Sequence, residues 1–108
     1  MNMQKFFKQA QKVQAEIARV QEELSQKTVE GTAGGGVVKV VASGQQQILS
    51  VSIDPAVVNE DDVEMLQDLI VAAVNEALRK ARELASDEMA KVTQMMGLPG
   101  PVSGPGGF

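Results

Sequence analysis

The sequence predicts an α+β fold in the order α-β-β-β-α: two long helices flanking a three-stranded antiparallel sheet. Residues 2–27 and 60–96 carry apolar residues at helical spacings and contain neither Gly nor Pro. Between them, residues 28–54 alternate runs rich in Val and Ile with Gly and polar turn residues, the pattern of short strands joined by tight connections.

In the first helix Met3, Phe6, Ala10, Val13, Ile17, Val20 and Leu24 recur at alternating steps of three and four, an a/d seam held for three heptads. A lone helix with so narrow an apolar stripe is unstable in water, so the seam must pack on something. Thr28 to Ala33 reads as a first strand, broken at Gly34-Gly35-Gly36, and Val37, Val38, Val40 and Val41 as a second. Ser43-Gly44 with Gln45 to Gln47 supplies a turn. Ile48, Val51 and Ile53 belong to a third strand, ended by Asp54-Pro55 because proline cannot donate to the ladder. Connections this short favour an antiparallel meander, and a sheet this small needs helices or a partner sheet to stand.

The second helix begins near Asn59, a suitable N-cap, and Glu60, Asp61, Asp62 and Glu64 lie where the helix dipole favours negative charge. Val63, Leu66, Ile70, Ala73, Ala77, Leu84 and Val92 carry its apolar stripe. From Leu69 to Val74 it is apolar nearly all round, which calls for contacts on two sides: a sheet, and a second subunit. Leu66, Leu69, Ile70, Ala73 and Val74 are therefore the expected dimer seam. Residues 1–96 read as one domain. Residues 97–108 are rich in Gly and Pro and read as a flexible tail.

The totals exclude several functions. The chain has no Cys and no His, which removes disulfides, thiol chemistry, the usual zinc ligands and every Ser-His or Cys-His catalytic arrangement. The Gly34–Gly36 run leads into a strand and lacks the Lys-Ser/Thr of a phosphate loop, and the acidic cluster lacks the spacing of a calcium loop. No catalytic residue, metal, cofactor or small-molecule substrate is expected. The N-terminus has no apolar signal region, and the longest apolar run, Leu69 to Val74, is far short of the roughly 20 residues a membrane span needs.

Charge is segregated along the chain. Lys5, Lys8, Lys12 and Arg19 each follow an a/d residue by two positions, about 200° round the helix, and so face away from the seam. With Glu16 counted, residues 1–20 sum to +3, and Arg79, Lys80 and Arg82 form a second cluster of +3. Between Asp54 and Asp68 the sum is −6, so the formal net charge of −4 conceals basic patches. On charge alone the simpler reading is a solubilising helix surface, with contact to nucleic-acid phosphates as the alternative. Aromatics at 3% argue against stacking platforms for single strands, and no group of residues suggests base readout, so any DNA contact falls on phosphates.

The order of motifs resembles the YbaB/EbfC family of bacterial nucleoid-associated proteins. The resemblance rests on Gln21-Glu22-Glu23-Leu24, Gly34-Gly35-Gly36-Val37-Val38-Lys39-Val40, the turn at Gly44, and Ile53-Asp54-Pro55. It continues through Glu64-Met65-Leu66-Gln67-Asp68-Leu69-Ile70, Ala72-Ala73-Val74-Asn75-Glu76-Ala77 and Gly97-Leu98-Pro99-Gly100. Gln67 departs from the acid more usual there, and the tail is longer than the pattern needs. The resemblance implies an α-β-β-β-α subunit, a tweezer-shaped homodimer and association with the bacterial nucleoid, and does not imply catalysis; with the residues as read above, the expectation is a cytoplasmic protein that binds duplex DNA with little sequence preference. The resemblance also implies DNA contact by basic helix residues, here Lys5, Lys8, Lys12, Arg19, Arg79, Lys80 and Arg82. The competing expectation is a protein-interaction adaptor using the acidic face from Glu60 to Asp68 and Met89, Met95 and Met96, since Met-rich surfaces adapt to several partners.

Overall fold

The structure, a computed structural model, describes residues 2–95 and 97. The expected tail from Leu98 to Phe108 and Met96 lie outside the described residues. The elements are α1 (Met3–Gln26), β1 (Thr28–Ala33), β2 (Val38–Ser43), β3 (Ile48–Ile53) and α2 (Val63–Met95), in the expected order.

Local chemistry sets the boundaries. Asn2 caps α1, its side-chain oxygen accepting from the backbone N–H of Gln4 at 3.0 Å and of Lys5 at 3.4 Å. Gly34, Gly35 and Gly36 have φ of 63°, 74° and 99°, a left-handed run that joins β1 to β2 and that side chains resist. β2 continues two residues past the expected Val41, because Ser43 is buried and its hydroxyl accepts from Gln45 and Gln47 N–H at 3.2 and 3.3 Å. α2 starts three residues later than expected: Glu60–Asp62 form a 3-10 turn, and Asn59 accepts from the Asp61 N–H at 2.9 Å.

The sheet order is β1-β2-β3, antiparallel throughout. Val38, Val40 and Ala42 point to one face and are fully buried there with Ala73 and Ala77 of α2. Beneath those alanines lies Gly31, where a Cβ would come within 2.3 Å of the Ala73 carbonyl oxygen. α2 thus rests on β1 and β2 at a separation only small residues permit. Leu66, Leu69, Ile70 and Val74 are half-buried at the margin of this core, and Ala73 is at its centre.

β3 is left as an open edge. The register sets Val51 opposite Val40 and Ile53 opposite Val38, while an irregularity between Val41 and Ala42 brings Ile48 opposite Ala42. Ile48, Val51 and Ile53 therefore share the face that carries α2, but only Ile53 packs against the core, and Val51 stays 45% exposed. With the outer sides of Leu66, Ile70 and Val74 they form an apolar trough on that face.

α1 joins this body only by its last two turns. Val20 and Leu24 are buried against Val92, with Leu84, Ala85 and Met89 around them, so α1 and α2 run antiparallel. The Gly44 N–H donates to the Lys27 carbonyl at 2.9 Å, and the Gln45 amide donates to the Gln21 carbonyl at 2.9 Å. Glu88, 8% exposed, accepts from Lys27 Nζ at 3.1 Å and Lys91 Nζ at 3.2 Å. The expected seam is thus covered within the chain only at Val20 and Leu24. Met3, Phe6, Ala10 and Ile17 are exposed and Val13 half-buried, because α2 runs to Met95, near Glu16, and among the described residues nothing lies opposite the earlier turns. The molecule is accordingly elongated, 70 × 31 × 16 Å.

Glu88 makes the joint pH-sensitive. Donation from Lys27, and then from Lys91, holds its carboxyl below the ordinary value of 4.5, outweighing burial, which acts upward. A depressed folded-state pKa means that the stabilisation is complete above pH 4.5 and is lost as pH falls through the folded value. Wild type should therefore melt several degrees above Glu88→Gln at neutral pH, with the gap closing below pH 4.5. Thermal melts of both proteins across pH check this, and a gap that stays constant into acid would refute it.

Candidate nucleic-acid interface

Seven cations carry the sequence-based expectation of DNA contact, and the structure divides them by what they already touch. Arg19 is bound by Glu16 at 3.0 Å and Glu23 at 2.7 Å. Arg79 is bound by Glu83 at 2.7 Å. Lys80 is bound by Glu76 at 3.0 Å and also donates to the Glu30 carbonyl at 2.9 Å, and its donation holds the Glu76 carboxyl below its ordinary range. Lys39 pairs with Glu30, and Lys27 and Lys91 pair with Glu88. Among the described residues, Lys5, Lys8, Lys12 and Arg82 have no acid within salt-bridge distance.

Three of those four meet in one place. Lys5, Lys8 and Lys12 line an open groove of about 600 Å³ with Gln9, Glu16 and Met95, where the free half of α1 passes the end of α2. Three exposed ammonium groups with no acid in salt-bridge contact are the part of the surface readiest to hold phosphate oxygens. Seven residues at 1.5 Å each separate Lys5 from Lys12 by roughly 10 Å along the helix, a row and not a point. Glu16 also lines the groove, but Arg19 lies on it and offsets its charge.

The acids stand far off. Glu60, Asp61, Asp62 and Glu64 crowd the start of α2 and Met95 marks its end, so the two sites are about 45 Å apart along the helix. That is several Debye lengths of about 8–10 Å, and the net charge of −4 has little hold on the groove. The second expected cluster is weaker than its sequence suggests, because Arg79 and Lys80 are paired and only Arg82 is open.

A model of the YbaB/EbfC DNA-binding family matches residues 1–96. The chain belongs to that family. It is 60% identical to a nucleoid-associated protein of Moorella thermoacetica, over 92% of this chain and 95% of that one. It is 56% identical to a nucleoid-associated protein of Caldanaerobacter subterraneus subsp. tengcongensis, over 92% of this chain and 89% of that one. Among solved structures, an uncharacterized protein of Helicobacter pylori has the same fold, with a TM-score of 0.73 at 20% identity, covering 90% of this chain and 99% of that one. The family is a DNA-binding family and not an enzyme family. Among the described residues, no helix is long and apolar enough to cross a membrane.

Two features of this YbaB/EbfC chain escaped the sequence reading. The first is that Met95 and Gln9 complete the lysine groove, which depends on where α2 stops beside α1. The second is the pairing of the other cations, for which a signal existed: Glu76/Lys80 and Arg79/Glu83 are four apart, and Arg19 lies three and four from Glu16 and Glu23.

Proposed function

We propose that this protein binds duplex DNA as a homodimer, through phosphates, with little sequence preference, in the nucleoid of the bacterial cytoplasm. The observation that carries the reading is the row of three lysines, unpaired among the described residues, in one groove about 45 Å from the acidic end of α2. Binding would be driven by release of counterions from the phosphates each lysine meets. Arg82 is a further contact on this reading. Arg19, Arg79 and Lys80 contribute mainly by neutralising acids that would otherwise repel the duplex. Association with the nucleoid follows the names of the relatives, which are nucleoid-associated proteins.

Two copies with three lysines each would meet about six phosphates, so the log K versus log salt slope should be near −5. Fluorescence anisotropy of a labelled duplex across salt measures it, and a scrambled duplex of equal length should bind within a few-fold. A slope near zero, or no binding at low salt, would sink the reading.

The dimer reading draws on the trough beside β3. The outer sides of Leu66, Ile70 and Val74, with Ile48 and Val51, form this apolar patch, while Ala73 supports it from the core and Leu69 lies on the other side of α2, against Gly34 at the end of β1. Val51→Asp should convert the dimer to a folded monomer, because Val51 is 45% exposed in the single chain and its loss opens no core. Sedimentation at micromolar concentration reads this directly, and an unchanged mass would place the interface elsewhere. The adaptor reading has less support: Met89 packs against the Val20–Leu24 joint, and the acids partly serve to start α2.

A further inference from the structure

We propose that the free half of α1 is a second self-association surface. The seam of one copy pairs antiparallel with the same seam of another, Phe6 opposite Ala10 and Met3 opposite Val13, in a short two-helix coiled coil.

The seam itself is the first argument. Met3 and Phe6 are 62% and 58% exposed, and Ala10 and Ile17 are also open. Apolar side chains at heptad spacing are built to interlock with a facing helix. At Val20 and Leu24 that already happens, since the same seam packs there on α2. The repeat continues unbroken toward the N-terminus after α2 has ended, so the surface is the continuation of a helix–helix contact, lacking only a second helix. Phe7, edge-to-face on Phe6 with centroids 6.2 Å apart, widens the apolar area at the tip.

Charge selects the occupant. The positions that flank the free seam hold Asn2, Gln9 and Glu16 on one side and Phe7 and Gln14 on the other. No cation flanks it: Lys5, Lys8 and Lys12 all lie on the far side, in the groove. A helix lying in a bilayer surface carries its cations on the polar face, as α1 does, so the flanking positions and not the lysines decide the occupant. A seam whose flanks hold no cation and Glu16 as their one acid suits a second copy of itself, because in this antiparallel register no like charges meet across it.

Sterics select the orientation. The sheet and α2 stand beside α1 from about Ile17 onward. Parallel pairing would bring two such bodies together at one end. Antiparallel pairing sets them at opposite ends and puts each large Phe6 against a small Ala10. The contact spans under two heptads and so is weak alone, forming with concentration. It uses none of the β3 trough, so dimers formed there could be linked through their arms, with the lysine rows facing outward on both sides.

The chain has no Cys, so introduced thiols report cleanly. Chains with Phe6→Cys mixed with chains carrying Ala10→Cys should form the mixed disulfide at least ten times faster than with chains carrying Ala15→Cys, which lies away from the seam. Equal rates would overturn the proposal. In sedimentation without DNA, wild type should gain mass with concentration beyond the dimer. Phe6→Glu with Val13→Glu, both outside the core, should stop at the dimer, whereas Phe6→Leu with Val13→Ile should behave as wild type. An unchanged mass for the Glu variant would overturn it. So would loss of the 6–10 cross-link in Val51→Asp, which would make the arm part of the trough contact, or lipid-vesicle binding through the seam without any cross-link. These readouts need no DNA, so they stand or fall separately from the DNA-binding reading.

Discussion

Replacing Lys5, Lys8 and Lys12 together by Gln is expected to weaken duplex binding on the order of 100-fold per subunit engaged at 0.15 M salt. Each phosphate contact contributes about 0.9 to the salt slope, so three lost contacts remove about 2.7 from it, and 0.15 raised to that power gives the factor. The fold should be untouched, because all three side chains are exposed and none takes part in an ion pair among the described residues. Anisotropy titrations at several salt concentrations separate this from a general loss: the slope must become shallower, and the circular dichroism spectrum must not change. Arg19→Gln gives a sharper contrast. Arg19 is held by Glu16 and Glu23, and Glu16 lines the lysine groove. Removing the guanidinium exposes one negative charge beside the lysines and cancels about one of them, an expected loss near fivefold. The double change Arg19→Gln with Glu16→Gln should restore most of it. If Arg19 instead meets phosphate itself, the double change will bind no better than the single one.

The order of elements was legible because the two periods differ: seam spacings of three and four in α1, alternating apolar residues at Val38, Val40 and Ala42 in the sheet. Ion pairing was legible in part, since pairs such as Glu76 with Lys80 are neighbours on one helix face whatever the tertiary fold. What the sequence could not carry is how far α1 overhangs α2. That depends on a joint whose members are distant in the chain: Leu24 against Gly44, and Lys27 against Glu88. Glu88 reads in the sequence as one more solvated acid, and only tertiary contact makes it the buried acceptor of two lysines. The apolar run of Leu69 to Val74 was ambiguous for a related reason. A helix apolar on two sides reveals that it has two neighbours but not which residues face which. Here Ala73 goes wholly to the sheet, while Leu69, Ile70 and Val74 keep an open side.

Gly31→Ala should cost about 3 kcal/mol or more, at or beyond the upper end for an overpacked core. The backbone at Gly31 would tolerate any residue; the helix above it would not. An alanine Cβ would lie 2.3 Å from the Ala73 carbonyl oxygen and 2.4 Å from the Ala77 nitrogen. Both obstacles are backbone, so no rotamer change relieves the clash, and α2 must lift from β1. Lifting opens the contact of Ala73 and Ala77 with Val38, Val40 and Ala42, all fully buried, and forfeits close packing over the whole patch. For a domain near 100 residues, that cost lowers the melting temperature by roughly 12–24 °C. Gly35→Ala is the control: its φ of 74° is unfavourable for alanine, but nothing lies within 4 Å, so only about 1–2 kcal/mol is at stake. Thermal melts should rank the two variants clearly, and equal losses would mean that the sheet–helix contact is looser than described. The same lift would carry Met95 and the joint at Val92 away from their places beside α1. Wherever Gly31→Ala still folds, DNA affinity should therefore fall with the spacing of the lysine groove, although the substitution lies in a strand that contributes no side chain to it.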